Sequence, residues 1–340
     1  VVVKDLGGCE MSEMRWNPVL REWLVTATHR QDRTFLPPAG FCPLCPTQPG
    51  GFPTEIEQES FEFVVFENKF PSLAREPITP SVESSELYPV AQSQGVCEVV
   101  LYTQEHSLTL AELPEDKLEQ LIQVWKDRYV ELGSKEEIEY VFIFENKGEA
   151  IGVTIHHPHG QIYAFPFVPP KIQREIDSEE EHFARTGRCL HCDIVKHELS
   201  DKDRLVAENE QFVAFVPFYA RYPYEVNIYA REHVPSMGQF DQSLQRSLAS
   251  LLKTVLVKYD NLWGFSLPYM MVMHQAPTNG KHYPGSHFHI EFYPPYRTKD
   301  RIKYLAGCES GAGTFVNDTL PEEKATELRL SSPNTEYLSR

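Results

Sequence analysis

Three imidazoles, a proline and an amide crowd into His156-His157-Pro158-His159-Gly160-Gln161. If this stretch runs extended, His157, His159 and Gln161 recur at every second position and project from one face of a strand. Pro158 cannot donate to a ladder, which suits a strand end, and Gly160 removes a side chain that would obstruct an approaching substrate. A neutral imidazole held rigidly here can attack phosphorus and carry a phosphoramidate, and an amide on the same face can donate to the phosphoryl oxygens as charge develops.

Metal chemistry is written in the cysteines. Four of seven form two Cys-x-x-Cys pairs, Cys42/Cys45 and Cys189/Cys192, in a chain rich in histidine. With His106 and His157 the first pair makes a Cys2His2 set, which closes a tetrahedral zinc and leaves no position for water. Such a metal is structural, and its task would be to fix the strand that carries His159. By the same logic the second pair would take His233 and His287, giving two zinc ions per chain. Cys9, Cys97 and Cys308 receive no role.

The elements that must position these groups repeat. In each half a Cys-x-x-Cys is followed by a strand ending in a histidine (Val99–His106; Glu225–His233). A helix comes next, with apolar residues at helical spacing: Leu118, Leu121, Ile122, Trp125, Tyr129 and Leu132 after Pro114; Leu244, Leu248, Leu251, Leu252, Val255, Tyr259 and Leu262 in the second copy. A buried strand follows (Tyr140–Phe144; Tyr269–His274), then the histidine cluster, His157/His159 or His287/His289. Glu145 to Gly148 reads as a polar loop, residues 71–95 as a Pro/Ser-rich loop, and Arg15 to Val25 as a hairpin leading to Arg30 and Arg33, two arginines able to clamp phosphate. The fold expected is α+β, two tandem units of mainly antiparallel sheet with a packed helix, divided as 1–170 and 171–340.

Composition sets the outer bounds. With 340 residues, 41% of them hydrophobic, the chain has ample core, and no apolar run approaches the ~18 residues of a membrane span. A formal net charge of −17 argues against a surface that tracks nucleic acid. The chain opens on Val1 with no charged-then-apolar leader, so the cytoplasm is the expected compartment.

His157-Pro158-His159-Gly160-Gln161, together with Glu145-Asn146-Lys147-Gly148, Asn17-Pro18, His29-Arg30 and Tyr293-Pro294-Pro295, resembles the galactose-1-phosphate uridylyltransferase family, the transferase branch of the histidine-triad superfamily. The hydrolases of that superfamily carry a third histidine where this chain has Gln161. The resemblance implies tandem histidine-triad-like units and a ping-pong exchange of UMP between UDP-glucose and galactose 1-phosphate, with His159 as nucleophile. It places Arg30, Arg33, Asn146, Thr154 and Gln161 at the phosphates and Asn68 on the nucleoside side. Lys303 and Glu309 match hexose contacts supplied across a homodimer, with Cys308 where relatives have tyrosine. Relatives lacking the second cysteine pair use the equivalents of Glu175, His274, His287 and His289 for their second metal; here the tighter affinity of thiolates favours Cys189, Cys192, His233 and His287. His289 matches His159 but is followed by Glu291, whose carboxylate would repel phosphate, so the second copy is expected to be silent. The Cys308–Gly313 tail also resembles ADP-glucose phosphorylase, the alternative assignment. A histidine-triad hydrolase and a non-catalytic nucleotide sensor are further alternatives.

Overall fold

The computed structural model describes residues 12–33, 37, 38 and 40–331, the side chains of residues 31–33 excepted. The described residues open on the expected hairpin, β1 (Ser12–Asn17) and β2 (Glu22–Ala27). Asn17 Oδ1 accepts the backbone N–H groups of Val19 and Leu20, and Arg21 takes the left-handed conformation that closes the turn. The first unit continues with β3 (Val64–Glu67), β4 (Val90–Gln92), β5 (Val96–Leu101), α1 (Glu115–Gly133), β6 (Tyr140–Lys147) and β7 (His159–Phe165). The second holds α2 (Pro170–Thr186), α3 (Leu190–Asp201), β8 (Leu205–Glu208), β9 (Phe212–Phe215), β10 (Val226–Ala230), α4 (Gln242–Trp263), β11 (Tyr269–His274), β12 (His289–Tyr293), β13 (Tyr296–Thr298), β14 (Arg301–Ile302), α5 (Gly307–Ala312) and α6 (Pro321–Leu330).

One nine-stranded sheet spans both units in the order β3-β5-β7-β6-β11-β12-β10-β9-β8, with every neighbouring pair antiparallel. The run β3-β5-β7-β6 and the run β9-β10-β12-β11 have the same connectivity, and they meet where β6 pairs with β11, from Lys147↔Tyr269 to Ile143↔Met273. The fold is thus the anticipated α+β tandem, fused through a shared sheet.

Both long helices cover one face. The six apolar residues of the α1 stripe are all buried, and the α4 stripe packs beside them against Ile143, Ile162, Ile228, Met273 and Ile290. Truncating Leu121 or Ile122 to alanine would cost about 2–5 kcal/mol each. Asp241 caps α4 by accepting the Leu244 N–H at 2.8 Å, and Lys253 Nζ donates to the Leu113 carbonyl at 2.6 Å, tying α4 to the entry of α1.

Several boundaries differ from the sequence reading. β5 is buried along its whole length instead of alternating, because it lies between β3 and β7 inside the sheet. Residues 71–95 contain β4, which adds to the edge of β1. Glu145, Asn146 and Lys147 extend β6 instead of forming a loop, since β11 supplies partners for each of them. The histidine strand starts at His159; His157 sits in the bend before it, beyond the reach of the ladder. Helices α2 and α3 lie outside the elements expected from the sequence, although each carries apolar residues at helical spacing, Ile172, Ile176 and Phe183 in α2 and Leu190, Ile194, Val195 and Leu199 in α3.

Candidate active site and metal clusters

Along β7, Ile162 and Ala164 enter the core beneath the helices, so His159, Gln161 and Tyr163 occupy the opposite face. Phe144 pairs with Gln161, which sets Asn146, two residues further along β6 and on the same face, beside His159. A cleft of 860 Å³ opens at this end of the sheet, lined by His159 and Asn146, by Glu149 and Ile155, and by Asn261 and Phe265 from the second unit.

A relay of backbone contacts fixes the nucleophile candidate. His159 Nδ1 donates to the carbonyl of its neighbour His157 at 2.7 Å, so the unprotonated nitrogen of a neutral ring is Nε2. His157 is itself held: Nε2 donates to the Thr103 carbonyl at 2.8 Å, turning Nδ1 toward Cys45 Sγ at 3.5 Å. Burial holds His157 below the usual histidine pKa, which keeps the ring neutral as a ligand must be.

Cys42, Cys45, His106 and His157 offer ligand atoms that all lie within 4.8 Å of one another. The Cys45 Sγ to Nδ1 distances, 3.5 Å to both histidines, match the ~3.6 Å edge of a tetrahedron with Zn–S of ~2.3 Å and Zn–N of ~2.1 Å. Burial and the adjacent Cys42 thiol push Cys45 up to about 12, the opposition that a cation between the two sulfurs removes.

The second unit repeats this. Cys189, at the N-cap of α3, and Cys192, in its first turn, meet His233 and His287; Cys192 Sγ lies 3.5 Å from His287 Nδ1 and 3.7 Å from His233 Nδ1. His287 Nε2 donates to the Ala230 carbonyl at 2.8 Å, as His157 does to Thr103. The other set considered, Glu175, His274, His287 and His289, is divided: His287 faces the thiols, while the remaining three gather with Glu291 in a separate cluster.

His289 Nδ1 donates to the His287 carbonyl at 2.9 Å, repeating the His159 contact, yet the ring is closed off. Helices α2 and α3 lie over this face of the second unit: Val195 packs with Val213, Phe215 and Tyr229, and Glu175 and Glu179 reach His274 and His191. His289 stacks on Tyr229 with ring centroids 4.6 Å apart, and burial drives its pKa down to about 3. Burial, which alone would raise the Glu291 carboxyl, is outweighed by His274 and Lys171, and its pKa lies well below the usual range.

The remaining candidates divide. Arg30 donates to the Phe70 carbonyl at 2.9 Å and to Tyr163 Oη at 3.4 Å, which brings it to the Gln161 face of the sheet. Asn68 Oδ1 caps the Phe70 N–H at 2.9 Å in the same turn. Thr154 is half-buried between Gly152 and His157. Gln161 Oε1 is buried with no hydrogen-bond partner among the described residues. Lys303 and Glu309 form an ion pair with each other, 3.3 Å apart, and neither lines the cleft. The Arg33 side chain lies outside the described residues, as does Cys9.

One supporting group, expected from the sequence in a polar loop, lies in the core. Glu145 is buried on the core face of β6, accepting hydrogen bonds from Tyr102 Oη at 3.4 Å and Tyr269 Oη at 3.3 Å, and burial raises its pKa to about 7. Had the strand been extended past Phe144, the alternation Val141, Ile143, Glu145 would have pointed it inward.

Models of galactose-1-phosphate uridyl transferase match this chain in two parts, the N-terminal domain over residues 8–169 and the C-terminal domain over 175–338. The galactose-1-phosphate uridylyltransferase of Thermotoga maritima is 40% identical over 322 residues, 94% of this chain and 98% of that protein. A solved uridylyltransferase superposes with a TM-score of 0.84 at 33% identity, covering 94% of this chain and 98% of the other. An ADP-glucose phosphorylase from Arabidopsis thaliana, solved with ADP-glucose bound, follows at a TM-score of 0.71 and 25% identity, covering 94% and 99%.

Proposed function

This chain belongs to the galactose-1-phosphate uridyl transferase family and is a nucleotidyltransferase, and on that premise we propose that it exchanges UMP between UDP-glucose and galactose 1-phosphate through a uridylyl group carried on His159. The observation that carries the reading is the His159 Nδ1 contact to the His157 carbonyl, which assigns the attacking lone pair to Nε2.

In the first step Nε2 attacks the α-phosphorus of UDP-glucose, the bond from that phosphorus to the bridging oxygen breaks, and glucose 1-phosphate leaves with the electron pair. The ring then carries a positive charge, which the His157 carbonyl stabilises through Nδ1–H. In the second step a phosphate oxygen of galactose 1-phosphate attacks the same phosphorus, the P–N bond breaks, and neutral His159 returns. The Gln161 amide N–H donates to the phosphoryl oxygens as charge develops on them. Arg30, Arg33, Asn146 and Thr154 hold the phosphates, and Asn68 the nucleoside.

Zinc fits both Cys2His2 clusters by donor type and spacing. Bound there it would be structural, and the first ion would hold the His157 backbone that orients His159. Residues 1–170 form the unit with the nucleophile; residues 171–340 form the unit with the second metal and the tail. A homodimer would deliver Lys303 and Glu309 to the neighbouring subunit's site. Among the described residues no helix is long and apolar enough to cross a membrane. The cytoplasm, where thiols stay reduced, suits four metal-ligating cysteines.

The test is a single-substrate burst. UDP-glucose alone should release at most about one glucose 1-phosphate per site and leave a base-stable, acid-labile uridylyl adduct that peptide mass spectrometry places on His159. Steady release in water alone would make the protein a hydrolase. No release with any acceptor would make it a sensor, and an adenylyl adduct from ADP-glucose with none from UDP-glucose would move it to the phosphorylase assignment.

A further inference from the structure

We infer that Tyr269, in the second unit, is a positioning residue for His159 in the first, acting through the buried Glu145 carboxyl and Tyr102. The inference rests on the reading of His159 as the nucleophile. Tyr269 opens β11 at the seam, paired with Lys147 two residues beyond Glu145 on β6. Its hydroxyl donates to Glu145 Oε1 at 3.3 Å, and the Tyr102 hydroxyl donates to Oε2 at 3.4 Å, so one carboxyl holds a phenol from each unit. All three side chains are buried beneath the helices, on the face of the sheet opposite His159.

Tyr102 is the link that reaches the nucleophile. The residue before it, Leu101, pairs with His159, and the residue after it, Thr103, supplies the carbonyl that accepts His157 Nε2 at 2.8 Å. Its own hydroxyl sits beneath Gly160. The backbone around Tyr102 thus sets the entry of β7, and where its hydroxyl ends is decided by Glu145. Apolar packing, such as the edge-on Trp125 ring with centroids 6.2 Å apart, is non-directional and does not fix that point. The far end of the chain of contacts is held firmly. Tyr269 packs against Phe292 with centroids 5.3 Å apart, and Lys147 Nζ lies 5.1 Å over its ring while pairing with Asp260 of α4 at 3.1 Å. Without the Tyr269 hydroxyl, Glu145 Oε1 would be left unpaired in the core, and the carboxyl would turn and carry the Tyr102 hydroxyl with it.

The experiment measures kcat and the KM for UDP-glucose on the full chain at pH 8, above the Glu145 pKa of about 7, where the carboxylate accepts from both phenols. Tyr259→Phe is the control: that ring stacks beside Tyr269, and its hydroxyl donates to the Tyr224 carbonyl at 2.8 Å, a buried bond of the same kind that does not involve Glu145. Tyr269→Phe should lower kcat roughly 10-fold with KM within about twofold, a fraction of the loss that a misplacement near 1 Å brings, while Tyr259→Phe keeps the wild-type kcat. Glu145→Gln, whose amide oxygen still accepts from a phenol, should retain more of kcat than Glu145→Leu. Adding Tyr269→Phe to Glu145→Leu should cost nothing further, because the connection is already cut. The inference is overturned if folded Tyr269→Phe keeps a kcat within about twofold of Tyr259→Phe, or if its loss recurs in full on Glu145→Leu. The uridylyl adduct tests the nucleophile separately, so an adduct on His159 together with an unchanged kcat in Tyr269→Phe would overturn this inference alone.

Discussion

The Tyr102 hydroxyl passes directly beneath Gly160: a Cβ built on Gly160 would lie 2.0 Å from that oxygen and 3.3 Å from the Phe144 carbonyl. Neither neighbour can retreat readily, since Tyr102 is buried and bonded to Glu145, and Phe144 lies within the sheet. Gly160→Ala should therefore displace the strand carrying His159, lowering kcat by roughly 100-fold, the scale expected of a misplacement near 1 Å. Tyr102→Phe in the Gly160→Ala background should restore part of the rate. Steady-state kinetics of the single and double variants decide it.

The two histidines at equivalent places should separate sharply. His159→Gly should abolish turnover by several orders of magnitude while leaving the metal content unchanged, since His157 is the ligand assigned to the cluster. His289→Gln should leave kcat within a few fold, because Tyr229 and the helices above it exclude substrate. Equal losses in the two variants would refute the assignment of a single reactive copy.

Each metal cluster should respond to a thiol change in its own way. Metal analysis of wild type prepared without chelator should find two zinc-class ions per chain, and Cys42→Ser and Cys189→Ser should each lose one. Cys42→Ser should also lose activity, because the His157 backbone orients the nucleophile. Cys189→Ser should lower the melting temperature with turnover retained in the folded fraction.

Glu145 makes a pH-dependent contribution that can be isolated. Its folded pKa of about 7 lies above the ordinary 4.5, so the folded state holds an extra proton between those values. The stability it contributes is fully present below about pH 4.5 and is lost as pH rises through 7. Glu145→Gln cannot ionise, so the variant's stability relative to wild type should improve by roughly 3 kcal/mol between pH 4.5 and pH 8. Urea unfolding at the two pH values measures the change, and a gap independent of pH would contradict it.

Residue rarity and period carried the sequence reading furthest. Cysteine pairs and histidines recurring at matched intervals led to two sets that the fold brings together, and the α1 stripe from Leu118 to Leu132 is buried at every position read from its period. Tertiary cover was invisible: no local pattern says that α2 and α3 bury His289 while leaving His159 at a cleft. Long-range pairing was invisible too. It extends β6 through Lys147 and turns Arg30 toward Tyr163. Repeat symmetry offered His287 to one ligand set and the family resemblance offered it to another, and the direction of its ring, set by the Ala230 carbonyl, distinguishes them.

The β6–β11 seam has an evolutionary consequence. Expressed alone, either unit would expose an unpaired apolar edge, and the natural partner for that edge is the same strand of a second identical unit. A symmetric pair built that way must keep two identical sites, since any substitution appears in both. Covalent fusion lifts that constraint: one histidine could be roofed over by helices and its neighbourhood rebuilt with Glu291 and Lys171, while the other was held to its chemistry. The asymmetry of the two faces is thus the freedom a duplicated gene gains when its products share one sheet.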